Sequence, residues 1–258
     1  MNRKWLIIPD FERREESAAL AKEYGAGVEY NDFFLPKVYE DDAEIKRRIT
    51  GYKALDRDRS NDTLHGAFLD VVISSDDTFI AEYSKKKLRQ SMEIGRELSV
   101  KGVVFHSGLV PGVTTPAYLN NWVKRQEEFY KDLCAEYPEI TVYLENTQED
   151  SPKFLLPLIE RIGACKNFKV CLDYAHAVIS KTPVEEWVDA LASNIVHMHV
   201  NDNDLQADLH QVPGEGKIDW QKYDRLTAGI KEASVLIELG GLERQKQALE
   251  YLMSIEEK

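Results

Sequence analysis

The feature that most constrains this chain is an eightfold alternation of short apolar runs with longer stretches of helical period. The runs are KWLIIP, GVEYNDF, TLHGAF, GVVFHSG, TVYLENT, FKVCLDYAH, IVHMHVND and SVLIELG. Each is rich in β-branched or aromatic residues and ends in polar or small ones, as a buried parallel strand should. Between them, Val184, Trp187, Val188 and Leu191 form one apolar stripe at helical spacing, and Leu155, Leu158, Ile159 and Ile162 form another. Thr115–Pro116, Ser151–Pro152 and Thr182–Pro183 read as helix starts, each with a hydroxyl cap and a proline in the first turn, and Glu185 lies three after Thr182.

Strict alternation with no linker or low-complexity tract predicts an α/β protein, a single closed (β/α)8 TIM barrel spanning 1–258. A doubly wound open sheet is the alternative. It has no reason to stop at eight units, and it would usually show a Gly-rich phosphate turn after the first strand, where this chain has IIPDFERREE. With 258 residues, 43% of them apolar, the chain can bury a large core without disulfides or a structural metal. Metal ligands, if present, therefore serve chemistry. The cysteines Cys134, Cys165 and Cys171 form neither a disulfide framework nor a zinc-thiolate pattern, which suits free thiols in a reducing cytoplasm. The N-terminal apolar run is too short for a signal peptide, and no window approaches a membrane span. A net charge of −12 disfavours nucleic acid as a partner.

Side chains alternate along a strand, so residues two apart share a face. Pairs that share one are Thr63 and His65, Val104 and His106, Tyr143 and Glu145, Cys171 and Asp173, His197 and His199, and Leu236 and Glu238. Six consecutive strands thus place an ionisable residue at or near their C-terminal ends, the rim on which barrel active sites are built. One such residue is ordinarily structural; six in succession on one rim are hard to explain that way. Three carboxylates buried together would repel and hold raised pKa values, a conflict that divalent cations remove. His176, three after Asp173, can turn over the same mouth, as can Asp208 and His210 two apart in the loop beyond His199. Imidazole and carboxylate donors without thiolate suit zinc, manganese, cobalt or iron.

Other positions carry open readings. His197 lies one layer below His199 and reads as a packed core histidine that can orient a metal ligand. Cys171 reads as core one layer down. Glu29, Asn31 and Phe33 alternate along the second strand, where substrate contact and strand-end solvation are equally good readings. Phe68 and Trp220 flank the mouth in sequence and offer either an apolar wall or ordinary packing. PGEG after His210 turns the long loop back toward a helix beginning near Asp219.

The ordered pieces LHGAFLD, VVFHSG, LENT, CLDYAH, HVND, DLHQVPGEG and IEL resemble the xylose isomerase-like barrel superfamily. That superfamily joins sugar phosphate isomerases and epimerases to endonuclease IV-type AP endonucleases. The resemblance implies a divalent metal (Zn, Mn, Co or Mg) held by Glu145, Asp173, His199 and Glu238. It assigns Glu145, Glu238 and His176 to catalysis. It also implies that His65, His106, His176, Asp208 and His210 hold additional metals or contact substrate. The implied activity is a sugar isomerase or epimerase that acts through a metal-chelated enediolate on a carbohydrate or related polyol. The alternatives are a multi-zinc phosphodiesterase of the AP endonuclease kind and a metal-dependent dehydratase or lyase. A small-molecule substrate, no membrane and compatibility with a homo-oligomer complete the expectation. The acidic loops YNDFFLPKVYEDDAE and GAFLDVVISSDD weigh against the endonuclease reading, because phosphate contacts normally come from Arg, Lys and helix N-termini.

Overall fold

The computed structural model describes residues 3–230 and 232–256. Its strands are β1 Lys4–Ile7, β2 Gly27–Tyr30, β3 Thr63–His65, β4 Gly102–His106, β5 Thr141–Glu145, β6 Phe168–Asp173, β7 Ile195–Val200 and β8 Ser234–Ile237. They pair in parallel in chain order, and β1 pairs with β8 from Lys4↔Ser234 to Ile7↔Ile237, so the sheet closes into the expected barrel. Every predicted run becomes a strand, because each supplies two faces that need burial.

Which face points where follows from packing. Trp5, Ile7, Val28, Tyr30, Leu64, Val103, Phe105, Val142, Leu144, Val170, Leu172, Met198, Val200, Val235 and Ile237 join one large cluster with the surrounding helices. The alternate residues point inward, and Val104, Tyr143 and Cys171 form a separate small cluster there. The outer layer is held by the helical stripes: Val184, Trp187, Val188 and Leu191, and likewise Leu155, Leu158, Ile159 and Ile162, are all buried. Fully burying one such side chain contributes about 1.5–3 kcal/mol, so this outer layer carries the barrel's stability.

The helix starts divide. Thr115 caps the helix Pro116–Glu136 by accepting from the Tyr118 amide, as expected. Ser151 makes no side-chain cap; Pro152–Phe154 is a single 3-10 turn ahead of the helix Leu156–Ile162. Thr182 does not cap either: the helix begins at Val184, and the Thr182 hydroxyl instead donates to the Asp150 carbonyl at 2.7 Å. Glu185 pairs with Lys222 at 2.6 Å. A hydroxyl beside a proline offers a cap, and a nearby carbonyl that lacks a donor can capture it first.

The long connection after β7 is built on Asp202, which is fully buried. Its carboxylate accepts from the amides of Gly214 at 2.8 Å and Ile218 at 3.0 Å and from Trp220 Nε1 at 2.9 Å. Asp202 also forms an antiparallel bridge with Gln211. The PGEG turn is therefore tied to the end of β7, and Asp219 caps the helix Trp220–Leu226.

At the lower end of the barrel the Tyr143 ring occupies the space that Gly102 leaves open, so a Cβ at Gly102 would fall onto the ring. Tyr143 is itself buried and stacked on His197 at 5.1 Å, which leaves the ring little room to retreat. Gly102→Ala is expected to lower stability by about 1–3 kcal/mol, the usual cost of overpacking, read from urea unfolding midpoints. An unchanged midpoint would show that the barrel interior repacks freely.

Candidate metal centre at the barrel mouth

The inward alternation of β3 to β8 brings His65, His106, Glu145, Asp173, His199 and Glu238 to one end of the barrel. Glu145 lies at the hub. Its Oε1 is 3.0 Å from His199 Nδ1, and its Oε2 is 3.3 Å from His106 Nε2 and 3.6 Å from His65 Nε2. Glu238 Oε2 approaches His199 Nδ1 at 3.7 Å. Asp173 ends β6 and caps the short helix Tyr174–Ile179 by accepting from the His176 amide at 2.7 Å. Strand thus passes directly into helix rather than into a loop. The His176 ring stands over its own cap, with Nδ1 3.7 Å from Asp173 Oδ2.

The loop anchored by Asp202 delivers the last two residues. Asp208 Oδ2 lies 3.3 Å from His176 Nε2 and 3.0 Å from His210 Nε2. His210 Nδ1 reaches the Glu238 carbonyl at 2.8 Å, with His210 itself at positive φ. Asn146, the residue after Glu145, exchanges hydrogen bonds with the Asp173 backbone at 2.9 Å, and its carbonyl meets His176 Nδ1 at 2.9 Å. It braces two site elements at once.

Donor atoms of His65, Glu145, His199 and Glu238 lie within 4.8 Å of one another, as do those of Glu145, Asp173 and His176. All nine predicted residues gather at the mouth. The four assigned by resemblance to a first metal are split between these two groups, with Glu145 common to both and His65 beside His199. A physical test of fit is whether the donors lack other partners. Among the described residues, Glu145 Oε2, Asp173 Oδ2, His199 Nδ1 and Glu238 Oε2 are each buried without a hydrogen-bond partner. Orphaned buried acceptors on three carboxylates and an imidazole are costly unless a cation lies among them. The donor set therefore fits a divalent metal of the N/O class.

The electrostatics express the same crowding. Burial pushes the Asp173 carboxyl up to about 7; His176 pulls it down, while Glu238 and Glu145 push it further up. Burial drives His106 down to about 3 against the pull of Glu145. The hydrogen bond that His210 donates to Asp208 lifts His210 to about 9.

Above the cluster opens a cavity of about 450 Å³ lined by Asn31, His65, His106, Glu145, His176, Asp208, His210 and Glu238, among others, with no Lys or Arg among the described residues of its lining. One wall is aromatic: Phe34 and Phe68 have ring centroids 4.6 Å apart, and Phe68 stacks on His106 at 4.4 Å. Of the two aromatic candidates Phe68 lines the cavity, whereas Trp220 packs behind it on Tyr223 at 5.4 Å and donates to Asp202. Phe33 is buried in the outer core, while Asn31 reaches the mouth.

Glu29 belongs to neither of its expected surroundings. It is fully buried inside the barrel, below the mouth, between His197 and His199. Its signal was the period of two along β2, but the strand continues past it in sequence, which hid its depth. His197 and Cys171 lie one layer down, fully buried, as the alternation predicted.

Comparisons place this geometry among known proteins. Two uncharacterized proteins of Methanocaldococcus jannaschii are similar: MJ1614 is 26% identical over 176 residues, 63% of this chain, and MJ1311 is 27% identical over 168 residues, 61% of it. The matches span 64% and 56% of those relatives' own lengths. Among solved structures, the TTHB071 protein of Thermus thermophilus, soaked with ZnCl2, superposes with a TM-score of 0.79 at 24% identity, covering 99% of this chain and 98% of that one. A D-tagatose 3-epimerase-like protein gives 0.81 at 22% identity, covering 98% and 97%. An L-ribulose 3-epimerase gives 0.71 at 18% identity, covering 100% and 96%. At such identities these likenesses establish the fold. Residues 18–255 also match the family model described as a xylose isomerase-like TIM barrel, and the chain belongs to that family.

Proposed function

We propose that the protein is a divalent-metal-dependent sugar isomerase or epimerase. The observation that carries this reading is the set of four orphaned donor atoms on Glu145, Asp173, His199 and Glu238, two of which, Glu145 and Glu238, line a sugar-sized cavity. Those four side chains, with His65 beside them, would hold a zinc, manganese, cobalt or magnesium ion. When bound, such an ion supplies Lewis-acid polarisation of a carbonyl and its neighbouring hydroxyl, which acidifies the C–H between them.

The chain's own residues do the rest. Glu145 and Glu238 rise from β5 and from the end of β8, and both line the cavity, so they can address a substrate carbon from two sides. One carboxylate accepts the proton from that carbon and the other returns it, the work of a general base and a general acid. His176, braced by Asp208 and the Asn146 carbonyl, presents its ring to the cavity and can move a proton between substrate oxygens. Phe34 and Phe68 offer a flat apolar surface to a sugar's C–H face. A lining without Lys or Arg among the described residues favours an uncharged sugar over a phosphorylated one.

A second reading, a multi-metal phosphodiesterase, draws support from the gathering of all nine residues. Its weakness is the acidic connection that follows β3 and carries Phe68, with Asp70, Asp76 and Asp77 in its sequence. Phosphate binding calls for cationic side chains or free helix N-termini.

Three outcomes are expected. Protein dialysed against Zn²⁺, Mn²⁺, Co²⁺ or Mg²⁺ retains divalent metal in elemental analysis, and the Glu145→Gln and Asp173→Asn variants retain far less; a wild type that takes up none would sink the reading. Incubated with ketohexoses and ketopentoses in D2O, the loaded protein incorporates solvent deuterium at carbon. Glu238→Gln, still folded by circular dichroism, should lose about 10²–10⁴-fold of that exchange, the usual worth of a positioned acid or base. Abasic-site DNA is expected not to bind in the sub-micromolar range at physiological salt, and tight salt-sensitive binding would reverse the order of the two readings.

A further inference from the structure

Below the mouth, the barrel interior holds a second polar assembly that the chemistry above does not use. Its centre is Glu29 on β2, fully buried. Glu29 Oε2 accepts from the Thr63 hydroxyl at 2.7 Å and faces His197 Nε2 at 3.0 Å. Glu29 Oε1 lies 3.2 Å from His199 Nε2, and neither atom has another hydrogen-bond partner among the described residues. His197 Nδ1 in turn meets the Ser234 hydroxyl at 2.7 Å. Three groups thus converge on one carboxylate from β3 and β7, and a carboxylate only accepts.

That fixes protons. His197 donates through Nε2, leaving Nδ1 to accept from Ser234. His199 faces a carboxylate through each ring nitrogen; with a cation between Nδ1 and Glu145, only a bare Nε2 would set lone pair against lone pair, so the proton belongs on Nε2. The other His199 nitrogen, Nδ1, is then the one turned upward, 3.0 Å from Glu145 Oε1 and 3.7 Å from Glu238 Oε2. In the opposite tautomer Nδ1–H would donate to Glu145, closing that pair on itself and withdrawing both residues from a ligand set.

We propose that Glu29 is the positioning residue of the centre: by holding the Nε2–H of His199 it commits Nδ1 to the mouth as a metal ligand. The inference rests on the metal-centre reading above and adds to it a residue outside the nine at the rim. A carboxylate behind a ligating histidine fixes its ring orientation and raises its basicity, and losing such a partner typically costs about 10–100-fold in metal affinity.

The test is a Co²⁺ titration of metal-free protein, followed by visible absorption, which reads affinity and coordination geometry without any turnover. Glu29→Gln keeps the volume but offers one acceptor oxygen to three donors. Glu29→Asp keeps the charge and draws it back from His199, and it serves if the first variant fails to fold. Both are expected to bind Co²⁺ about 10–100-fold more weakly, with an altered spectrum. Thr63→Val removes a different donor to Glu29 and leaves His199 alone, so it should bind near the wild-type value. Wild-type affinity and spectrum in both Glu29 variants would overturn the inference and leave the metal reading standing. An equal loss in Thr63→Val would overturn it too, showing that the effect belongs to interior packing. Absence of Co²⁺ uptake by the wild type would remove the metal reading and this inference with it.

Discussion

Four carboxylates, Glu29, Glu145 and Asp173 inside one barrel and Glu238 at its rim, crowd together, and the rest of the structure is arranged around making that tolerable. Ionised carboxylates in a low-dielectric interior repel one another and cost several kcal/mol each unless they are paired. Imidazoles are interleaved among them: His197 and His199 flank Glu29, while His199, His106 and His65 surround Glu145. A TIM barrel usually fills its interior with layers of branched apolar side chains. Here the apolar interior is reduced to a small cluster of Val104, Tyr143 and Cys171, together with Leu6 and Leu236. Stability is left to the outer layer between strands and helices, which frees the interior for polar work.

That division of labour decides what could be read from sequence. The outer layer writes itself as alternating strands and helical stripes, so fold, strand order and the inward face were all legible. The rim was legible for the same reason: His65, His106, Glu145, Asp173 and His199 close or nearly close five strands and Glu238 follows the eighth, two residues from their inward neighbours. Glu29 stands out in the sequence without revealing its place. Its partners Thr63 and His197 lie 34 and 168 residues away, and nothing local marks how deep it sits. Asn146 and Asp202 escape for a related reason, since their work is to hold backbone amides and carbonyls of other segments, which leaves no period in the chain. Trp220 misleads because closeness in sequence to a site loop is not closeness to the mouth. Its indole is bound to Asp202 instead.

Asp202 and Asn146 show how the mouth acquires its outer half. The strand ends are placed by the sheet, but His176, Asp208 and His210 sit on connections that need their own scaffolding. Asp202 gathers the amides of Gly214 and Ile218 and so fixes the return path of the loop carrying Asp208 and His210. Gly216 is required beneath it, because a Cβ there would strike the Asp202 carboxylate and the Asn203 carbonyl. Asn146 ties the β5 end to the β6 end. The outer half of the site is therefore held by hydrogen bonds rather than by the barrel.

The two halves differ in how their polar atoms are answered, and the difference bears on how many cations the mouth calls for. In the outer half, Asp208 is shared by His176 and His210, and the remaining ring nitrogens of those histidines meet the carbonyls of Asn146 and Glu238. Each charge there has a neighbour that answers it, and His210 is raised to about 9 by that pairing. In the inner half, Glu145, Asp173, Glu238 and His199 each keep a buried atom with no partner among the described residues. A cation placed in the inner half answers several of these atoms at once. One placed in the outer half must first break a closed set of hydrogen bonds and displace a proton. On the proposed reading the inner position is the primary one, and a single ion there answers several orphaned atoms at once. That asymmetry favours carbon–hydrogen chemistry at one metal over a phosphoester mechanism that needs the outer half loaded as well.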